Sequence, residues 1–302
     1  MSHLEALRTD LDAVPGTVSV WCGRPGANAA AFAREADATH YAASTMKAAV
    51  LAALHRAAEA SLLDLDGEVP VHNEFESAAA GAPRFGCSQS YDNDDAVWAQ
   101  VGATATLRWL AERMIVRSSN LATNLVLARV GTAAVANVWE TVGGRHSVVG
   151  RGIEDSAGAE AGITNLVTAA DLAALLGAIA LGGQTPQAQT PQAQTPQAQT
   201  HGPLASTASC RAMLDTLLAQ EHTEDLAAGL PPGTQVAHKN GWIPGIRHGA
   251  GVVFPDDAPP FVIVVCLTTP LAVNEHNDEA CQLVARIAAA AWSDRHAIGT
   301  AS

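Results

Sequence analysis

Basic residues are scarce in this 302-residue chain: 17 Lys and Arg stand against 30 Asp and Glu, a formal net charge of -13. A surface with that balance has no positive footprint for phosphate backbones or anionic lipid, so neither nucleic acid nor a membrane is expected as a partner. Long apolar runs are missing too, and none approaches the roughly 20 residues that span a bilayer. Met1 to Arg8 mixes acids and bases instead of pairing a basic stretch with an apolar one, which predicts a cytoplasmic location. The five cysteines (Cys22, Cys87, Cys210, Cys266, Cys281) show no CxxC spacing, and the histidines show neither HxH nor HExxH. Reduced thiols buried as small hydrophobes are expected, with no cofactor and no metal site built from His238, His248 and His276.

Aromatic residues make up only 4% and charged residues 16%, yet 48% of the chain is hydrophobic. That is enough apolar material for one large domain or two sharing a core. Leu4 to Ala13 has the spacing of a short amphipathic helix, and Gly16 to Cys22 that of a strand, with Ala30 to Ala36 as its hairpin partner. An Ala/Leu-rich helix is predicted from Ser44 to about Leu62, and residues 63–103 read as irregular. Further helices are predicted at about 104–115, 119–130, 132–140 and 166–181. Strands are predicted over Gln235–His238, Ala250–Phe254 and Phe261–Thr268, with a closing helix from about Asp278 to His296.

Strands therefore sit at the two ends of the chain and helices between them. An α/β (α+β) fold follows, an antiparallel sheet assembled from both termini and flanked by helices, with a mostly helical domain inserted. The expected units are 1–43 plus 205–302 and 44–204. The pentapeptide beginning Gln184-Thr185-Pro186-Gln187-Ala188 repeats three times through Ala198. Its regular prolines forbid a helix, so 184–201 is expected to be a solvated loop.

Three short motifs carry chemistry. Ser44-Thr45-Met46-Lys47 opens a helix, where free N–H groups favour negative charge at a nucleophile. Lys47, three residues on, lies on the same face and can act as a base if desolvated. The plainer alternative is a helix cap beside a solvated lysine. Ser118-Ser119-Asn120 sits between two apolar helical stretches, where either serine could cap. His238-Lys239-Asn240-Gly241 ends a strand, and its lysine could hold a substrate carboxylate while Gly241 leaves room.

Taken in order, these motifs resemble S-x-x-K, S-D-N and K-T-G, the signature set of class A β-lactamases and penicillin-binding proteins. The resemblance covers nearly the whole chain and is nearest to class A. Ser119 departs from the second motif's aspartate, and Asn240 from the third motif's threonine or serine.

The resemblance implies a β-lactamase/transpeptidase-like fold and a set of roles. Ser44 would be the nucleophile and Lys47 its base, directly or through a neighbour. Ser118 would relay a proton to the leaving group, and Asn120 would bind a substrate amide and Lys47. Lys239 would hold a carboxylate or tune Ser118, and the N–H groups of Ser44 and Trp242 would form the oxyanion hole.

The glutamate of a class A Arg-x-Glu-x-x-x-Asn loop corresponds by position to Glu154 in Arg151-Gly152-Ile153-Glu154-Asp155. The arginine is one residue too far away, and Gly158 replaces the asparagine. Glu154 is either the deacylating base or, like Asp155, a loop carboxylate paired with Arg151. Arg247, with His248 before a strand, is expected at the cleft rim as an anion contact, and Tyr91 on a polar loop that gates the cleft.

The expected function is acyl hydrolysis or transfer through acyl-Ser44 on a small ester or amide, including ester-to-amide exchange in natural-product assembly. β-Lactam hydrolysis is the alternative. A binding protein that kept the fold without catalysis is a further one.

Overall fold

The computed structural model describes residues 1–183, 202–273 and 277–299. The pentapeptide repeat and His276 lie outside them. The first part of the chain forms α1 (His3–Ala6), α2 (Arg8–Asp12), β1 (Thr17–Gly23), β2 (Phe32–Arg34), β3 (His40–Tyr41), α3 (Lys47–Glu59), β4 (Glu68–Pro70), α4 (Asp95–Trp98), β5 (Thr104–Thr106) and α5 (Leu107–Val116). Then follow α6 (Asn120–Val130), α7 (Thr132–Thr141), β6 (Val148–Val149), α8 (Ser156–Glu160), β7 (Asn165–Val167) and α9 (Ala169–Gly183). The last part forms α10 (Thr207–Leu218), β8 (Gln235–Ile243), β9 (Ile246–Phe254), β10 (Phe261–Thr268) and α11 (Glu279–Ser293).

The main sheet has the order β2-β1-β10-β9-β8, antiparallel throughout. The first and last strand regions meet where Thr17 pairs with Thr268 and Gly23 with Val262. β10 explains why this sheet must be covered twice. Its Phe261, Ile263, Val265 and Leu267 enter one apolar cluster with Leu4, Leu11 and Ile287 of the terminal helices. Val262, Val264 and Cys266, on the other face, enter a second cluster with α3, α6 and α9. Period-two alternation of a wholly apolar strand puts both halves in contact with core. All five cysteines are buried, and none forms a disulfide among the described residues.

Several boundaries differ from the sequence pattern. The helix expected from 166 begins only at Ala169, after β7, and that expected from 104 begins at Leu107, after β5. The N-cap of α5, Thr106, accepts from Trp109 N at 3.2 Å, which sets the later start. α10 was not apparent in the sequence pattern; it packs on α9 and β8. β8 runs through the third motif to Ile243, and β9 starts at Ile246, so His238 to Gly241 lie mid-strand and Arg247 and His248 lie inside β9. No single helix among the described residues is long and apolar enough to cross a membrane.

The two ends of the chain are also joined by a polar clasp. Asp294, just after α11, accepts from the backbone N–H groups of His3 at 2.8 Å and Leu4 at 2.9 Å. The His3 ring adds a contact at 2.9 Å. Because this carboxylate is nearly buried, Asp294→Ala leaves two helix-start donors without a partner. The expected cost is about 1–3 kcal/mol, read as a lower urea midpoint with an unchanged m-value.

Candidate active site

Ser44 is not a helix cap. It lies in a 3-10 turn, Ala43–Met46, that precedes α3, and neither the turn nor the helix has a side-chain cap bond. Ser44 lines a cleft of about 590 Å³, shared with Tyr91, Asn120, Arg151, Glu154 and Trp242. The capping duty in the second motif falls to Ser119, whose Oγ accepts from Ala122 N at 3.1 Å. Ser118 is thereby left for other work.

Lys47, the first residue of α3, is fully buried. Its Nζ lies 2.7 Å from Ser118 O, 3.0 Å from Asn120 Oδ1 and 3.2 Å from Ser118 Oγ. It makes no hydrogen bond to Ser44. Lys239 Nζ approaches the same Ser118 Oγ at 3.0 Å, and also bonds Asn240 O at 3.1 Å. Two lysines thus converge on one hydroxyl. Burial pulls Lys47 down to about 7, against the attraction of Asp92. Lys239 is also lowered well below the usual lysine range, by burial and then by the neighbouring Lys47 charge. A neutral Lys47 keeps two N–H donors, enough for Ser118 O and Asn120 Oδ1, and turns a lone pair toward the Ser118 hydroxyl.

β8 is the edge strand beside Ser44. A Cβ added to Gly241 would lie 2.8 Å from Ser44 N and 3.1 Å from Thr45 N, so only glycine lets the strand come this near. The two-residue turn Pro244–Gly245 closes on the pair Ile243 and Ile246, with Gly245 at φ +84°. Antiparallel alternation from that pair turns the Trp242 N–H away from β9, toward the open edge and Ser44.

Glu154 sits on the loop between β6 and α8, at φ +68°. Asn124 of α6 clamps the preceding residue from both sides, accepting from Ile153 N and donating to Ile153 O, each at 2.8 Å. The carboxylate accepts from Ser88 N at 2.8 Å through Oε2, while Oε1 is buried without a hydrogen-bond partner. Burial raises its pKa, against the Ser88 N–H bond. Three of the five non-glycine residues with positive φ among the described residues are Ala43, Ser118 and Glu154. Each such conformation costs about 1–3 kcal/mol, and its concentration around one cleft marks a functional site.

The model of the beta-lactamase enzyme family matches residues 3–294. The chain belongs to that family. Among solved structures, a beta-lactamase from Sphaerobacter thermophilus is similar at 24% identity and TM-score 0.74, over 98% of this chain and 97% of that one. PBP-A is similar at 21% identity and TM-score 0.72, over 97% and 96%. A PBP-A variant, solved as an acyl-enzyme complex with penicillin G, is similar at 20% identity and TM-score 0.72, over 97% and 96%. No curated protein matches. The family makes the chain a serine hydrolase, and these structures show the expected β-lactamase/transpeptidase-like architecture.

Within this family member, most of the expected site residues converge: Ser44, Lys47, Ser118, Asn120, Glu154, Lys239, Gly241 and Trp242, with exposed Tyr91 at the lip. Arg247 does not join them. It is buried in β9, with its guanidinium 3.5 Å from Asp225, 3.7 Å from Glu224 and 3.1 Å from Cys281 Sγ, so its charge is met inside the protein instead of at the rim. His248 is buried as well, bonded to Tyr41 O at 2.8 Å.

Arg151 makes no ion pair with a loop carboxylate among the described residues and reaches Asp155 only through its charge. Arg151 bonds Ile163 O and Gly152 O, and Asp155 instead accepts from Ser77, Ala78 N and Gly158 N. A Cβ on Gly158 would lie 2.5 Å from the Asp155 carboxylate, so asparagine there would displace the side chain that caps α8. No group of three metal-ligating side chains exists among the described residues.

Three participants were not singled out in the sequence. Asp92 looks like one acid of a solvated loop, Asn124 like a helix interior and Asp225 like an isolated acid. Only Asn124 had a signal, its spacing from Asn120.

Two outcomes are expected. Gly241→Ala, at a position without positive φ, changes only the approach of β8 to Ser44. It should slow covalent labelling of Ser44 about 10²-fold, a scale set by misplacement near 1 Å. With neutral Lys47 as the base, the labelling rate should fall about tenfold per pH unit below its pKa near 7 and level off above it. A stopped-flow pH series measures this.

Proposed function

We propose that this serine hydrolase works through an acyl-Ser44 intermediate that Glu154 releases to water, on small amides, esters or β-lactams. Ser44 Oγ attacks the acyl carbon, and its proton passes to neutral Lys47, directly or by way of Ser118. The N–H groups of Ser44 and Trp242 hold the oxyanion, each donor worth on the order of 3 kcal/mol in the transition state. Ser118, between the two lysines, returns the proton to the leaving nitrogen or oxygen. Asn120 positions the substrate amide, and Lys239 stabilises an anionic substrate group through this hydroxyl.

The observation that carries the hydrolytic half is Glu154, which lines the cleft with one carboxylate oxygen held by Ser88 N and the other without a partner. A pKa raised by burial and a carboxylate oxygen outside the Ser88 hydrogen bond suit a general base that takes a proton from water. β-Lactams are the first substrates to try, since a PBP-A variant has been solved as a penicillin G acyl-enzyme.

Transfer to an amine or alcohol, including ester-to-amide exchange, is the second reading. It is favoured by the burial of Glu154 Oε1, which keeps that oxygen out of direct contact with cleft water.

Intact-protein mass spectrometry after penicillin or a fluorophosphonate should give one adduct on Ser44, absent in Ser44→Ala. Glu154→Gln should keep the adduct and slow its release by water at least about 10²-fold. Release accelerated by added amines but indifferent to Glu154→Gln would favour transfer. An unmodified wild-type Ser44 would overturn acyl-enzyme chemistry and favour a binding protein.

A further inference from the structure

The second motif lacks a carboxylate at Ser119, yet a carboxylate is present at that spot. It comes from Asp92, on the loop that carries Tyr91. Asp92 Oδ2 accepts from Leu121 N, in the first turn of α6, at 2.8 Å and from Oγ of the helix N-cap Ser119 at 3.1 Å. Its Oδ1 accepts from Asp94 N at 3.2 Å, so the same side chain also folds its own loop. A parallel tie runs alongside, since Asn120 Nδ2 donates to Tyr91 O at 3.2 Å while Asn120 Oδ1 accepts from Lys47 at 3.0 Å. Ser119, Asn120 and Leu121 are consecutive, so the Asp92 anchor bears on the residue that holds the lysine.

We infer that Asp92 is a positioning residue: from the Tyr91 loop it supplies the carboxylate that Ser119 leaves out, fixing the start of α6 and so the contact between Asn120 and Lys47. A carboxylate at the positive end of a helix, accepting one backbone N–H and one hydroxyl, is a charge-assisted arrangement that suits this duty. Ser119 cannot do the same alone, because its oxygen already caps Ala122 N. Charge adds a second effect. Asp92 favours protonated Lys47, and the Lys239 amine meets the same Ser118 hydroxyl. Glu154 faces Cys87 and Asn120 in the same pocket.

Removing the Asp92 charge therefore has two consequences of opposite appearance. The base is less well placed, so acylation slows. Its proton is less favoured, so the acidic limb of the rate moves to lower pH. A loss of folding alone would slow the reaction without moving the limb in that direction.

This inference rests on acyl-enzyme chemistry at Ser44, and its test pairs a chemical readout with one that needs no chemistry. Ser44 labelling by a fluorophosphonate across pH, and hydrogen exchange of a peptide spanning 118–124, are measured in wild type, Asp92→Asn and the double variant Asp92→Asn/Ser119→Asp. Asp92→Asn should label about tenfold more slowly, with the limb at lower pH and faster exchange at the start of α6. The double variant, which returns a carboxylate from the neighbouring side chain, should recover all three to within a few-fold. Exchange and pH limb unchanged in Asp92→Asn would overturn the inference, as would a defect that the double variant fails to repair. If wild-type Ser44 takes no label, the proposed chemistry falls, and the exchange measurement alone decides whether Asp92 anchors α6.

Discussion

Lys47 and Lys239 share one hydroxyl, that of Ser118, at 3.2 and 3.0 Å, and all three side chains are buried. The two amines are at most about 6 Å apart through this hydroxyl, so two full positive charges there would repel by on the order of 3 kcal/mol or more at an effective dielectric near 20, and each would also lose hydration. The arrangement is tolerable when the two amines together hold one proton fewer than in water. That constraint produces a neutral amine at ordinary pH, which is what an unactivated serine needs nearby. The rest of the site can be understood as holding this unfavourable pair in place.

Each lysine has a counter-charge at one remove. Asp92 lies beyond Asn120 on the Lys47 side. On the Lys239 side, Asn240 Oδ1 meets the amine at 3.3 Å and Asn240 Nδ2 meets Asp225 Oδ2 at 3.3 Å, with Arg247 behind. Burial lifts Asp225 to about 6, against the pull of Arg247, so this counter-charge is itself only loosely held. Asn240, the departure in the third motif, is thus the link between Lys239 and a buried acid–base pair. Arg247 is occupied there, and the cleft is poorer in accessible positive charge for it.

The Glu154 loop depends on different forces. Asn124 clamps Ile153, Asp155 caps α8, and Asn165 takes the N–H groups of Gly150 at 2.9 Å and Arg151 at 3.1 Å. These are bonds to backbone, which set the path of a loop more firmly than exposed ion pairs do. The path forces Glu154 to positive φ, and the helix of the second motif pays part of that cost through Asn124.

Local pattern carried much of this. The apolar run Phe261–Thr268 and the separation of strands to the chain ends pointed to a sheet built from both termini, and the order of Ser44, Lys47, Ser118, Asn120 and Lys239 pointed to the family. Residue spacing encodes such features because periodicity and motif order are one-dimensional. Whether Ser44 capped a helix, whether Arg247 faced solvent, and which acid stood beside α6 were decided by packing between distant segments. Asp92 lies 27 residues from Ser119, and Arg247 22 from Asp225. Contacts of that kind depend on which faces meet once the core closes, and burial, not spacing, then determines which charged groups keep their ordinary chemistry.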